Sequence, residues 1–435
     1  MKRSFKIVLA ICFAAVIIVL LKNYYKVYNI EVKDDTKSGR VVQKGIKGAR
    51  DFVFDTKGNL FIAYKDKIQF IGLDGKSYDI YKDNSMNIFS LDYKENVLYF
   101  SSNTKVFSYD LNNKTIKELV KDLPNLGDYK QSIIRIKGNE LYISIGVSTN
   151  SGVVGKDNVW LADSPFTYDI SPKDITVNGK LFGTEKTGAF VPYRTKNTNG
   201  QVIPGHFPGN GSIVAYNLNS GNLENFAWGI RNVKGMDFNS EGKLLASVGG
   251  MEDRGYRPVK GDLDYIFEIK KGGWYGWPDY SGGDPITSPR FKGENNTKIT
   301  FILDNHPTTN PPAPLYQHKQ LSTLGCLAVD GKGILGEKDC IYFYESKDNK
   351  VYGLDKRGIL KEKVQLNTDS KVSSLKIDNN GLNILDGSGG FLYHINKNNG
   401  SASQNFQKAT IYYLIILSLL GITIALWKFG VNNKQ

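Results

Sequence analysis

The feature that most constrains this fold is a unit that recurs six times along the middle of the chain. Each unit is a strand of alternating apolar and polar residues, a turn rich in Asn, Asp or Gly, and a second strand. The units occupy residues 49–64, 88–102, 132–146, 233–250, 324–346 and 372–388. A third strand that ends in a polar turn follows each unit, at 67–76, 105–114, 212–221, 265–273, 350–358 and 391–400. Short alternating runs bounded by turn residues are typical of antiparallel sheets, and six of them predict an all-β, six-bladed β-propeller.

A fourth, outer strand follows most of the units, but the sixth unit has none. We expect residues 39–45 to supply it and close the ring, because pairing removes an exposed sheet edge. In this topology the connections between second and third strands, and those between blades, lie on one face. The segments 147–211, 250–262 and 304–323 are long connections assigned to these two kinds, so they are predicted to elaborate one face, where binding residues usually lie.

Both ends of the chain are hydrophobic. Residues 7–21 follow a basic segment, and residues 409–427 precede a tail with two lysines. Each run is near the length needed to cross a bilayer, although the first could instead be a cleaved signal peptide. The basic flanks predict that both termini are cytoplasmic.

These runs divide the chain into three predicted parts. They are an N-terminal transmembrane anchor (1–26), a propeller domain (27–408), and a C-terminal transmembrane helix with a short tail (409–435). The propeller would then be extracytoplasmic, held at the plasma membrane by two helices in the lipid bilayer.

Charge and cysteine content exclude two classes of function. The 56 Lys and Arg exceed the 43 Asp and Glu by 13, but they form no dense basic tract, which argues against nucleic-acid binding. Cys326 and Cys340 would lie outside the cell, where they could form a disulfide or remain two buried thiols. Their spacing does not match a zinc site.

Three segments resemble the glucose/sorbosone dehydrogenase family: 226-FAWGIRNVKGMDF-238, 249-GGMEDRGYRP-258 and 272-GGWYGWPDYSGGDP-285. Characterised members of that family are six-bladed propellers that oxidise sugars with pyrroloquinoline quinone (PQQ) held with calcium. The resemblance extends from about residue 40 to residue 400. It implies a sugar or alcohol dehydrogenase with PQQ and calcium as cofactors and a sugar as ligand.

The resemblance also implies roles for individual residues. Arg231 and Asn232 match the pair that binds cofactor and substrate in the family. Gly249 and Gly250 match the turn whose backbone oxygens hold calcium, and the nearby Glu252 and Asp253 could add carboxylates, which suit a hard cation.

Two further positions and one alternative complete this prediction. The family's cations for the carboxylates of the cofactor are a lysine on blade five, matched here by Lys347 or Lys350, and arginines before the last blade, where this chain has only Lys371. An alternative for Arg231 is an ion pair with Asp253 or Asp262 that only ties two loops together.

The chain departs from the family at the general base. The family's histidine before the first strand of blade three is absent, and the stretch reads 126-LGDYKQSIIRI-136. Asp128, Tyr129 or His318 would have to take its place, and tyrosine has an unperturbed pKa of about 10. The alternative function is therefore a non-catalytic propeller that binds carbohydrate, a cell-wall polymer or a protein. The GGWYGWPD motif is predicted to build its blade and not to contact a ligand directly.

Overall fold

The computed structural model describes residues 30–397, which form an all-β propeller of six four-stranded blades. Blades I and II consist of Asp51–Phe54, Leu60–Ala63, Lys67–Ile71 and Ser77–Lys82, then Ile88–Lys94, Val97–Ser102, Lys105–Asp110 and Thr115–Val120. Blades III and IV consist of Ile134–Lys137, Glu140–Ile145, Ser212–Asn217 and Leu223–Trp228, then Val233–Phe238, Leu244–Val248, Tyr265–Ile269 and Tyr316–Gln317. Blades V and VI consist of Leu324–Asp330, Cys340–Glu345, Lys350–Leu354 and Leu360–Gln365, then Val372–Ile377, Leu382–Asp386, Phe391–Lys397 and Lys37–Lys44. The repeat read from the sequence is confirmed.

Shorter elements lie outside the four-stranded pattern. Two small hairpins pair Ile175–Asn178 with Asn199–Ile203, and Tyr280–Ser281 with Asp284–Pro285. Two 3₁₀ helices span Val159–Ala162 and Glu294–Asn296.

The ring closes as predicted, with the outer strand of blade VI supplied by the N-terminal side of the chain. Lys37–Lys44 runs antiparallel to Phe391–Lys397. The structure adds a strand that the sequence did not predict: Glu31–Val32 pairs with the outer strand of blade V. A side chain at Gly39 would meet Val32 at 2.9 Å, so the two N-terminal strands pack closely along the seam between blades V and VI.

Aspartates on the inner strands tie neighbouring blades together around the axis. In each case a carboxylate oxygen accepts a hydrogen bond of 2.8 Å from a backbone N–H of the next inner strand. The pairs are Asp51 with Leu91, Asp92 with Ile136, and Asp237 with Val329. These bonds satisfy backbone donors that would otherwise lie unpaired at the seams.

One predicted loop assignment is wrong in its extent. The outer strand of blade IV is Tyr316–Gln317, so residues 304–315 belong to the connection that precedes this strand. Only residues 318–323 connect blade IV to blade V. A two-residue strand gives no alternation that a sequence pattern could reveal, because period-2 signals need about four residues.

Three long connections share one hydrophobic core beside blades III and IV. These are 147–211, 250–262 and 270–315, and buried residues of all three form a single cluster with Trp228 of blade III. It contains Val147, Val153, Ile175, Val177, Ala189, Phe190, Trp228, Met251, Val259, Trp274, Trp277, Tyr280, Ile286, Phe291, Ile299, Ile302 and Leu303. The elaborated face is therefore a packed cap and not a set of separate loops.

No helix within residues 30–397 has the length and apolar character needed to span a bilayer. The transmembrane segments predicted at 1–26 and 409–435 lie outside the described part of the chain. Cys326 and Cys340 are both free and buried, which decides between the two alternatives left open above. Burial raises the pKa of the Cys326 thiol to about 12 and that of the Cys340 thiol to about 11.

Candidate functional site

The site centres on Arg231, which lies in the connection between blades III and IV with its side chain 4% exposed. Its Nε donates to the backbone oxygen of Asn150 at 3.0 Å, and its Nη2 donates to the Asn150 side-chain oxygen at 2.8 Å. Nη2 also donates to the Tyr129 hydroxyl, and the guanidinium lies 4.5 Å from the centre of the Tyr129 ring. Hydrogen bonds and a cation–π contact therefore fix this cation in one orientation.

Asn150 is the residue that joins the two loops of the site. Its side-chain oxygen also accepts from the Glu252 backbone N–H at 2.8 Å, and its amide donates to the Glu252 backbone oxygen at 2.7 Å. Sequence reasoning did not single out Asn150. The feature of the sequence that could have identified Asn150 is its place in 142-YISIGVSTNSGVVG-155, a segment in which the family resemblance is also specific.

A second arginine, Arg254, forms the charged part of the site. Its guanidinium pairs with Asp128 at 2.5 Å, Asp157 at 2.6 Å and Glu252 at 2.5 Å. Although burial opposes the charged form, the hydrogen bonds with Glu252 and Asp128 raise the pKa of Arg254 above its ordinary value. Glu252 also lies 3.9 Å from Nη2 of Arg231, so one carboxylate links the two arginines.

The structure brings two of the predicted bases, Asp128 and Tyr129, next to Arg231. Asp128 accepts hydrogen bonds from Trp160 at 2.7 Å and from Asn158 at 3.2 Å, in addition to its ion pair with Arg254. Burial raises the pKa of Tyr129 above 10, although Arg231 lowers it in part. Tyr129 is therefore a protonated hydrogen-bonding group at neutral pH, while the side chain of Asp128 is held by three donor residues.

The third predicted base, His318, supports the neighbouring loop. Its Nδ1 lies 3.2 Å from the Tyr316 hydroxyl and its Nε2 lies 3.0 Å from the Thr323 hydroxyl, so both ring nitrogens have partners. Burial lowers the pKa of His318, which keeps the ring neutral. Its backbone N–H donates to the backbone oxygen of Asp264, whose carboxylate accepts from the N–H groups of Gly250 and Thr323.

The glycine turn lies beside Arg231, as the resemblance implied. The Gly249 N–H donates to the Asn232 backbone oxygen at 2.9 Å, which fixes the turn to the Arg231 loop. A side chain at Gly250 would place its Cβ 2.0 Å from the Leu263 oxygen, so only glycine fits there. Asn232 is partly buried, and its side chain makes no hydrogen bond within residues 30–397.

A lysine that sequence reasoning missed completes the site. The position that a Cβ would take at Gly249 lies 3.0 Å from Cε of Lys234, and 3.7 Å from both Nζ of Lys234 and Nη1 of Arg231. Lys234 follows Arg231 by three residues, at a point where the pairing register of the inner strand shifts. This register shift could not be predicted from the sequence, because a pattern of alternating apolar and polar residues assumes regular strand pairing.

The acidic side chains beside the turn form no cluster that could hold calcium in the described part of the chain. Asp253 is exposed and has no bonding partner in the described chain, while Glu252 is committed to Arg254. No group of three His, Cys, Asp or Glu residues within residues 30–397 is arranged to hold a metal ion. Arg231 pairs with Glu252 and not with Asp253 or Asp262, so the specific ion pairs considered for it are absent from the described structure.

The other predicted cofactor contacts are exposed lysines on connections of the elaborated face. Lys347 lies between the second and third strands of blade V, and Lys371 directly precedes the inner strand of blade VI. Neither side chain forms an ion pair within the described residues. With Lys234 and Arg231 they provide four cations, and only Arg231 has an acidic partner. The carboxylates of a cofactor such as PQQ need cations of this kind.

The GGWYGWPD motif supports the site from behind Asn150. Trp274, Tyr275, Trp277 and Tyr280 are all buried. The indole N–H of Trp277 donates to the Asn150 backbone oxygen at 3.2 Å, the same oxygen that accepts from Arg231. The motif has the structural role that was predicted, but it runs along the outer strand of blade III, where Trp274 bridges Trp228, and not along its own blade. It also fixes the residue that orients Arg231.

Comparison with known proteins gives a structural likeness only. No family model and no curated protein matches the sequence. Among solved structures, the Trichoderma reesei protein of carbohydrate-active enzyme family AA12 matches with a TM-score of 0.59 and 14% identity, covering 85% of this chain and 98% of that one. This likeness shows a shared fold. A second structure of the same protein is described as its calcium structure.

Two further structures extend the comparison to sugar dehydrogenases. The holo PQQ domain of pyranose dehydrogenase from Coprinopsis cinerea has a TM-score of 0.57 and 13% identity, over 85% of this chain and 97% of that one. The apo form of the soluble aldose sugar dehydrogenase from Escherichia coli has a TM-score of 0.54 and 13% identity, over 83% of this chain and all of that one. Two structural neighbours of this propeller are thus sugar dehydrogenases, and one of them is a PQQ domain in its holo form.

Proposed function

We propose that this chain is a PQQ-dependent dehydrogenase of sugars or alcohols that works on the elaborated face of its propeller. The observation that carries the proposal is the fixed orientation of Arg231 beside Asn232 and the Gly249 turn. It is supported by the fold, because similar folds occur in sugar dehydrogenases. Fold alone does not determine function, so the residues of the site must carry the chemistry.

The proposed reaction assigns a role to each residue. PQQ, when bound, supplies the acceptor for the hydride of the sugar. Arg231 and Asn232 would bind and orient the substrate, and Lys347 and Lys371 would neutralise carboxylates of the cofactor. Asp128 would take the hydroxyl proton, because Tyr129 holds its own proton and His318 has no free nitrogen. Calcium is given no step, because the turn offers it only backbone oxygens and Asp253.

The test is PQQ binding and sugar-dependent dye reduction by the purified full-length chain. We expect PQQ to bind, by absorbance and calorimetry, and aldoses to drive dye reduction. Asp128→Asn should lower the rate by about 10²–10⁴, the usual contribution of a general base. Arg231→Ala should also lose turnover, whereas Arg194→Ala, which removes an exposed arginine paired only with Glu185, should not. No binding at tens of micromolar PQQ would refute the proposal.

A second candidate function is carbohydrate binding without catalysis. Two observations favour it: Asp128 is already held by donors, and a separate pocket of about 360 Å³ opens on the 147–211 insertion. This pocket is lined mainly by apolar groups, among them Leu126, Tyr168 and Phe166, a residue that is 80% exposed. Aromatic rings of this kind stack on sugars. This function would be supported if a glycan bound to the chain without PQQ and if Phe166→Ala abolished that binding. It would replace the dehydrogenase proposal if the chain also failed to bind PQQ.

We also propose that the propeller is extracytoplasmic and tethered at the plasma membrane. The hydrophobic ends of the chain motivate this, and the fold is compatible with it. Lys37 and Lys397 pair at the end of blade VI that lies away from the elaborated face. A protease added outside intact cells should cleave the chain within 190–210. An intact chain under conditions where the purified protein is cut there would contradict this location.

A further inference from the structure

Two cationic nitrogens converge on one point above Gly249. Nη1 of Arg231 and Nζ of Lys234 each lie 3.7 Å from the position that a Cβ would take at this glycine. They are therefore separated by no more than twice that distance. Since residue 249 is glycine, it places no side chain of its own at that point.

Neither nitrogen has a partner that explains its position. Arg231 uses Nε and Nη2 for its bonds to Asn150 and Tyr129, and Nη1 makes no bond to any residue in the described range. Lys234 is partly buried and forms neither an ion pair nor a hydrogen bond within residues 30–397. Two like charges in a partly desolvated position disfavour each other, and an anion between them removes that cost.

The surroundings favour a carboxylate over a more highly charged group. Glu252 lies 3.9 Å from the other terminal nitrogen of Arg231, and Asp253 is exposed one residue further along. These negative charges oppose a phosphate dianion more strongly than a single carboxylate. Asn232, whose amide has no described partner, lies between Arg231 and Lys234 in sequence and can hydrogen-bond hydroxyl groups.

We propose that Arg231 and Lys234 together bind the carboxylate of an acidic sugar, so that the ligand of this site is a uronic acid or a glycan that carries one. The carboxylate rests on the geometry at Gly249, and the sugar rests on the proposed function. Lys234 is then the residue that distinguishes acidic from neutral sugars.

The test is calorimetric binding of D-glucuronate and D-glucose to the full-length chain in the absence of PQQ. Glucuronate should bind at least about tenfold more tightly than glucose, a ratio that corresponds to one charge-assisted contact. Lys234→Gln should remove this preference, while Lys196→Gln, an exposed lysine on the 147–211 insertion, should keep it. The preference should weaken as salt is raised, because screening acts on the charge pair.

Three results would overturn the inference. They are equal binding of the two sugars, an unchanged preference in Lys234→Gln, and binding of inorganic phosphate as tight as that of glucuronate. Because PQQ is left out, a failure of the dehydrogenase proposal does not affect this measurement. Dye reduction with glucuronate and glucose, measured separately with PQQ present, tests the dehydrogenase on its own.

Discussion

At the scale of single residues, Asp169 orients part of the site, but its burial lowers the stability of the folded chain at neutral pH. It is buried on the 147–211 insertion, and it accepts hydrogen bonds from the backbone N–H of Ser148 and the hydroxyl of Thr149. Burial raises the pKa of Asp169 to about 6, against the lowering effect of these hydrogen bonds. The carboxyl thus orients the segment that leads to Asn150 while opposing its own ionisation.

This pKa predicts a pH dependence of stability. The folded pKa lies above the unfolded value of about 3.8, so ionisation disfavours the folded state at neutral pH, and stability returns as pH falls through 6. Between pH 7 and pH 5 this group should add about 1 kcal/mol to the free energy of unfolding. Urea unfolding of the native chain and of Asp169→Asn measures it, since the variant should lack this increment. Parallel pH profiles would contradict the prediction, and Asp369→Asn, at an exposed position, is the control.

The sequence predicted which residues meet at the site better than it predicted how they are paired. Arg231, Asp128 and Tyr129 were identified from motif positions. The bonds that organise them join residues far apart in the chain: Arg231 to Asn150 across 81 positions, and Arg254 to Asp128 across 126. Lys234 was not predicted as a site residue, because the direction of its side chain depends on a shift in the pairing register of the inner strand. Single-sequence patterns carry no information about contacts of this range.

At the scale of elements, an ion pair joins the two motifs that define the cap. Arg257 of DRG-x-RP and Asp279 of GGWYGWPD pair at 2.7 Å, with their side chains 2% and 0% exposed. Arg257, on the 250–262 segment, also donates to the backbone oxygens of Ser151 on 147–211 and of Pro278 and Thr300 on 270–315. The pair therefore stabilises the packing of these segments against one another.

Removing one partner of this pair should be strongly destabilising. Arg257→Met leaves Asp279 buried without its cation and should lower the free energy of unfolding by about 3–5 kcal/mol. Arg194→Met, which breaks the exposed pair with Glu185, should change it little. Denaturant unfolding of both variants measures the difference. Similar losses of unfolding free energy in the two would show that the buried pair stabilises the fold no more than the exposed pair does.

Most of the elements could be predicted, because alternation and turn residues recur in every blade. The cap could not, since its core is formed by irregular connections whose apolar residues have no period. Trp274 and Trp277 were recognised as structural, but their contacts with blade III and Asn150 depend on the path of the 270–315 connection. That path has few regular strands and therefore no pattern to read.

At the scale of the whole molecule, the ring depends on one strand from the N-terminal side. Lys37–Lys44 covers the outer edge of Phe391–Lys397, and its loss would leave blade VI with three strands and an open edge. A chain that starts at residue 46 should unfold at a temperature at least about 5 °C below one that starts at residue 30. Circular dichroism melting compares the two, and equal midpoints would mean that closure adds nothing to stability.

The same closure sets an order of events during synthesis. Ser38 bonds to Asn396, 358 positions later in the chain. At translation rates of about 5–20 residues per second, roughly 20–70 s pass between the appearance of these two residues. Throughout that interval the early strand has no partner from its own blade. The nascent chain therefore presents a free strand to cellular chaperones for most of its synthesis, and the ring can be completed only near the end.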